Sequence, residues 1–171
     1  MERPTTTQLR KLIGVANYQF GRNVGEALFT KETRIECSKR TGRIRHIYTG
    51  KRFIATLRPK DGYLALSLHG AELLLSRLKP PPNIVVVQTN VSDFVKTGGD
   101  VFAKHIVRAD ENLRPAEEVI VTNENGSLLA VGRAVLSGND MIFFKRGVAV
   151  KVRRGIGEPT KGPIFVPEEL F

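Results

Sequence analysis

The sequence predicts an α+β protein in two parts. Residues 1–79 read as a small, basic α+β domain with an antiparallel sheet, residues 83–155 as a C-terminal β-barrel, and 156–171 as a tail. Three observations lead there. Pro80, Pro81 and Pro82 are consecutive; they cannot continue a helix and they favour an extended spacer. Upstream, apolar residues at helical spacing give way to period-two alternation and then return. Downstream, short valine-rich strands recur between turn signals, the pattern of a small barrel. The spacer is short, so the two parts are expected to touch.

The elements follow in order. Thr5, Thr6 or Thr7 can cap a first helix in which Leu9, Leu12, Ile13, Ala16 and Phe20 recur at helical spacing. Residues 23–29 read as a second short helix. Residues 34–38 alternate as a strand, with Ile35 and Cys37 inward, and Thr41-Gly42 suits a hairpin turn. A second strand covers 43–48. After the turn at Thr49-Gly50-Lys51 comes a third, 52–57, with Phe53, Ala55 and Leu57 on one face. Lys60-Asp61-Gly62 turns into a fourth over 63–68, and a helix over 70–78 closes the meander with Leu73, Leu74 and Leu78 inward.

Beyond the prolines, 83–88 is a strand. Ser92 is expected to cap a short helix over 93–97, stopped by Gly98-Gly99. Strands follow over 101–108, 118–122 and 128–136, separated by Arg114-Pro115 and by the hairpin turn Asn123-Glu124-Asn125-Gly126. Gly132, inside the long strand, marks a bulge or a close backbone approach. Residues 137–142 form a turn or short helix, and 147–153 the last strand. In the tail, Ile164, Phe165 and Phe171 either pack back on the barrel or belong to a loose terminus.

Charge narrows the function. The chain carries 27 Lys/Arg against 17 Asp/Glu, a net of +10, which points to a polyanionic partner, nucleic acid above all. Residues 1–79 alone hold sixteen basic and six acidic side chains, whereas 80–157 hold ten and eight. With strand alternation, Arg34 and Arg40 face outward, as do Arg43 and Arg45 on the next strand. Such a face either binds a phosphate backbone or is a solvated surface that keeps edge strands apart.

Other chemistry is poorly supplied. Cys37 is the single cysteine, so no disulfide forms within the chain and no cysteine-based zinc cluster is available. His46, His69 and His105 lie far apart without ligand or triad spacing. Asp61, Asp93 and Asp100 are isolated acids in turns. Lys39 and Arg40 can lower the Cys37 thiol pKa, but a strand position facing inward suits an inert core cysteine better. No secretory leader or membrane-spanning run is read, so a cytoplasmic protein is expected, neither an enzyme nor a holder of metal or cofactor.

The segments Thr97-Gly98-Gly99-Asp100-Val101-Phe102-Ala103, Arg114-Pro115-Ala116-Glu117-Glu118-Val119-Ile120-Val121, Ala130-Val131-Gly132-Arg133-Ala134 and Arg146-Gly147-Val148-Ala149-Val150 together resemble the PUA domain of RNA-modifying enzymes. Most PUA domains carry Gly-Asp where this chain has Glu117-Glu118. In the first half, Tyr18-Gln19-Phe20-Gly21-Arg22, 38–45 and 55–62 resemble the segment that precedes the PUA domain in archaeal tRNA-guanine transglycosylases and archaeosine synthases. Their upstream catalytic barrel, with its aspartate and zinc site, has no counterpart here. The resemblance therefore implies an RNA-holding module living as a separate chain.

It also implies where RNA sits, on the first PUA helix, its glycine turn, the following strand and the last strand. Carried over by position, these are Lys96, Gly98, Gly99, Lys104, His105, Arg133, Lys145, Arg146, Lys151, Arg153 and Arg154. Glycine lets a backbone N–H approach a phosphate, and Lys and Arg neutralise it. His105 or Phe102 can stack on an unpaired base; Phe102 alternating with Lys104 equally suits a core position, and Gly98-Gly99 equally suits a plain helix stop. The expected partner is RNA, tRNA held by its acceptor end, together with a separate tRNA-modifying enzyme. The alternative is a protein-interaction module in translation or ribosome biogenesis, with DNA binding a third and weaker reading.

Overall fold

A computed structural model of the chain describes residues 1–159, so the apolar tail residues Ile164, Phe165 and Phe171 lie outside the described part. Helix α1 (Thr6–Phe20) opens on a capping box: Thr5 accepts from the Gln8 amide and Gln8 returns a bond to the Thr5 amide. Its apolar stripe buries Leu12, Ala16 and Phe20. After α2 (Val24–Leu28), strands β1 (Thr33–Cys37), β2 (Ile44–Thr49), β3 (Arg52–Leu57) and β4 (Leu64–Leu66) form an antiparallel meander in that order. Helix α3 (Leu68–Arg77), capped by Ser67, packs back on β3. Phe53 leaves the face shared by Ala55 and Leu57, because the β2–β3 register slips at this point and its ring joins His46 and Tyr48.

The second sheet has six strands in the order β6-β10-β9-β8-β5-β7. These are β5 (Ile84–Val87), β6 (Val101–Phe102), β7 (Ile106–Ala109), β8 (Glu118–Asn123), β9 (Leu128–Ala134) and β10 (Val148–Gly155), with short helices α4 (Ser92–Lys96) and α5 (Gly138–Phe143). The strand expected over 101–108 is two strands. A 3₁₀ turn, Ala103–His105, breaks it, so that β6 pairs with β10 while β7 pairs with β5, and the segment all but closes the barrel. Ser92 is not a cap. Its own backbone is helical, Val91 precedes it as the capping residue, and its hydroxyl is buried without a partner. Phe102 is not core but 37% exposed. Gly132 is a close approach: a Cβ there would lie 2.3 Å from the Lys151 carbonyl oxygen on β10.

The two parts share a core. Ile120, Leu128 and Val131, from the outer face of β8 and β9, pack into the cluster built by Leu12, Phe20, Ile54 and Leu74 of the N-terminal domain. The barrel interior is separate, formed by Val85, Val119, Leu129, Met141 and Val150 among others. No helix among the described residues is long and apolar enough to cross a membrane.

Candidate nucleic-acid interface

Pairing across β8, β9 and β10 sets Glu118 opposite Arg133 and Arg133 opposite Lys151, so all three side chains stand on the outer face of the barrel. Two residues along β10, Arg153 shares this face, but it is not a free cation. Its guanidinium clamps the fully buried Glu118 carboxylate through two bonds of 2.6 and 2.7 Å and donates a third, 2.7 Å, to the Leu66 carbonyl. Glu118 in turn accepts from the Leu66 amide at 3.1 Å. Arg153 and Glu118 therefore lock the barrel to β4 of the N-terminal domain. Glu118 is the centre of this seam. Of the β10 cations, Lys151 remains largely exposed, 3.9 Å from Asp100, whose carboxylate also accepts from the Val152 amide.

The glycine turn differs from expectation in one respect. The amides of Gly98 and Gly99 donate to Val95 and Phe94 carbonyls, ending α4, and so are spent. The turn faces an anion of the chain's own: the Glu158 carboxylate accepts from the Gly155 amide at 2.6 Å, and a Cβ on Gly98, at φ +97°, would lie 2.9 Å from it. Arg154 donates to the carbonyls of Glu158 and Pro159. Lys96 closes the same end of the barrel. Lys104, His105, Lys145 and Arg146 lie at the other end, where Ala103 bonds Gly147 and β6 meets the start of β10. Strand β6 and the length of β10 run between the two groups. The positions drawn from the resemblance thus form two clusters and a strand face between them, not one patch.

The basic N-terminal domain supplies a groove of about 610 Å³. Arg40, Arg43 and Arg45 line it together with Lys11 from α1 and Arg58 from the β3–β4 turn, and no acidic residue lines it. Arg34 is not part of it; its guanidinium is tied to the carbonyls of Lys31 and Thr33. Arg58 pairs with Asp61 at 3.0 Å. That carboxyl is held below its ordinary range: desolvation, which alone would raise it, is outweighed by the Tyr63 amide bond, by Arg58 and, least of these, by the charge of Arg133 on the barrel. Lys11 and Arg58 escaped the sequence reading because they join the groove only through tertiary packing.

Partial burial, and then a bond to the Glu2 carboxylate at 3.6 Å, push the thiol pKa of Cys37 up, and the neighbouring cations do not reverse this. No group of three or more His, Cys, Asp or Glu suited to a metal ion occurs among the described residues.

The barrel with its glycine turn and the α+β domain locked to it define a known class. Residues 83–156 match the PUA domain, and residues 10–81 match the patch-forming domain C2 of tRNA-guanine transglycosylase. The chain is a PUA-domain protein, and in both domains it corresponds to the C-terminal portion of the archaeal tRNA-guanine transglycosylases. It is 43% identical over 148 residues to the tRNA-guanine(15) transglycosylase of Methanobrevibacter smithii, covering 86% of this chain and 22% of that one. It is likewise 43% identical over 157 residues to the enzyme of Thermococcus kodakarensis, covering 91% and 27%. The chain thus spans about a quarter of the length of these curated relatives. In fold it is similar to a hypothetical protein from Pyrococcus horikoshii OT3, with a TM-score of 0.73, 23% identity, and 90% of this chain and 93% of that one covered. It is also similar to a conserved PUA domain protein from Thermoplasma acidophilum, with a TM-score of 0.67, 21% identity, and 91% and 93% covered.

Proposed function

We propose that the protein binds RNA, holding tRNA by its acceptor end, as a non-catalytic accessory to tRNA modification in the cytoplasm. The observation that carries this reading is the placement of unpaired cations. Lys11, Arg40, Arg43 and Arg45 line a groove without acids, and the charge of Arg133 on the barrel acts on the same Asp61 that Arg58 holds beside that groove. A groove lined by several cations suits a phosphate backbone. The matched domains and the names of the relatives support RNA in a tRNA-modification setting. The proposed partner is a separate tRNA-modifying enzyme, because the relatives that share these two domains are named transglycosylases.

The test is a gel shift with total tRNA across a salt series, beside the same tRNA stripped of its 3′ CCA end. Sub-micromolar binding that is lost with the CCA supports the acceptor-end role. Binding indifferent to the CCA moves the contact to the N-terminal groove and RNA shape. No binding sinks the reading.

A second reading, a protein-interaction module, has its own observation. Phe143 is 77% exposed, and Ile142, Phe144 and Val107 are exposed beside it. Retention of one protein partner after nuclease treatment would favour it.

A further inference from the structure

Helix α1 buries Leu12, Ala16 and Phe20, which puts Tyr18 on the opposite face, where its side chain is 80% exposed. Core packing does not require an aromatic there. Tyr63, exposed in the turn before β4, lies parallel to it, with ring planes 2° apart and centroids 6.3 Å apart. Tyr63 thus lies beside the Tyr18 ring in a parallel plane, and the high exposure of Tyr18 leaves its ring open to solvent.

The pair is held in place by its neighbours. Gln19 and Leu64 exchange two hydrogen bonds, Gln19 Nε2 to the Leu64 carbonyl at 2.8 Å and the Leu64 amide to Gln19 Oε1 at 2.7 Å, which fixes the end of α1 against β4. The Tyr63 amide donates to Asp61, which Arg58 grips. Two residues past Leu64, Leu66 joins the Glu118–Arg153 lock. The aromatic pair therefore stands near the seam, beside the end of the basic groove at Arg58 and Gly62, where the charges of Asp61 and of Glu117 from the barrel also act on Tyr63.

We infer that Tyr18, with Tyr63 parallel beside it, is a stacking platform for one unpaired nucleobase of the bound RNA, with a flanking phosphate taken by the groove. Stacking suits an exposed aromatic face at the end of a basic groove, and it tolerates any base. The inference rests on the RNA-binding reading and adds a contact to it.

The probes are total tRNA and a single-stranded oligoadenylate, titrated against wild type, Tyr18→Ala, Tyr63→Ala, Tyr18→Phe and Tyr63→Phe. The chain has three tyrosines and no tryptophan, and Tyr48 is buried, so changes in intrinsic emission on binding report the exposed pair. Tyr18→Ala should weaken binding roughly tenfold, Tyr63→Ala less, and both Phe variants should bind like wild type. The salt slope should not move, because no charge is lost. Wild-type emission should be quenched by RNA. RNA binding that is equal in wild type and both Ala variants would overturn the platform while leaving the RNA reading intact, as would a loss as large in the Phe variants as in Ala. Failure of wild type to bind either RNA would remove both.

Discussion

The two basic regions of this molecule are built in opposite ways. In the N-terminal groove, Arg40, Arg43 and Arg45 have no acidic neighbour in the lining and point their charge at solvent. On the barrel, Arg153 is bound to Glu118, Lys151 lies near Asp100, Arg154 is tied to two carbonyls, and a carboxylate from Glu158 occupies the glycine turn. The net charges, +10 for residues 1–79 and +2 for 80–157, anticipate this. The comparison teaches that a basic residue in a motif position is not thereby available to a ligand. On the barrel much of the positive charge serves the protein's own architecture; in the groove it is left over.

The largest effect should come from the barrel cation that is most fully engaged. Arg153→Met leaves the buried Glu118 carboxylate without its partner and should cost about 3 kcal/mol of stability, read by denaturant unfolding. The double variant Arg153→Met with Glu118→Leu should recover much of that loss, since apolar side chains can replace a buried pair. A change within about 0.5 kcal/mol for Arg153→Met would mean that the apolar seam of Ile120, Leu128 and Val131 alone holds the domains.

Binding should show the reverse order. Replacing Arg40, Arg43 and Arg45 together by Gln should lower tRNA affinity at least tenfold and reduce the salt slope by about 2 to 3, the value expected for three phosphate contacts. Replacing Lys151 and Arg154 by Gln should cost only a few-fold. If the barrel pair proves the costlier, the comparison fails and the glycine-turn end is the primary grip.

Much of the fold was legible in the sequence, and the failures have physical causes. The helix boundaries of α1 and the strands β1 to β4 followed from periodicity and turn chemistry, because each signal there is local. The break at Ala103–His105 was not legible, since its cause is the geometry of closing a barrel from β10 round to β5. The site was legible in kind more than in detail. Arg40, Arg43 and Arg45 do converge, whereas Arg34 and Arg153 do not, because strand alternation says which way a side chain points and nothing of what meets it there. Glu117-Glu118 read as a departure from a motif; only the contact of Glu118 with Arg153 and Leu66 shows its role.

A smaller change sharpens the contrast at the glycine turn. Glu158→Gln removes an anion from the surface beside Lys96, Gly98 and Arg154, and should raise tRNA affinity roughly threefold without loss of stability, since the contact is near the surface. Affinity unchanged by this substitution would take the glycine turn out of the RNA path.

The smallest effect at neutral pH, and the most regional, concerns Tyr48. Its hydroxyl is buried and donates to Glu36 at 3.1 Å; burial first, and then that bond, push its pKa up to about 12. Because the folded value lies above the ordinary one near 10, the stabilisation is fully present below pH 10 and is lost as pH rises from there towards 12. All three tyrosines lie in residues 1–79, so alkali should loosen the four-stranded sheet while the barrel, which has none, is spared this cause. Tyrosinate absorbance should rise in two stages, with Tyr48 last. Tyr63, whose pKa is raised chiefly by Tyr18, should ionise later than an isolated tyrosine. Tyr48→Phe should remove the last stage along with the alkaline loss of stability. A single transition for all three near pH 10 would show the Tyr48 hydroxyl open to water, and the groove domain would then owe its stability to its apolar core without that buried polar bond.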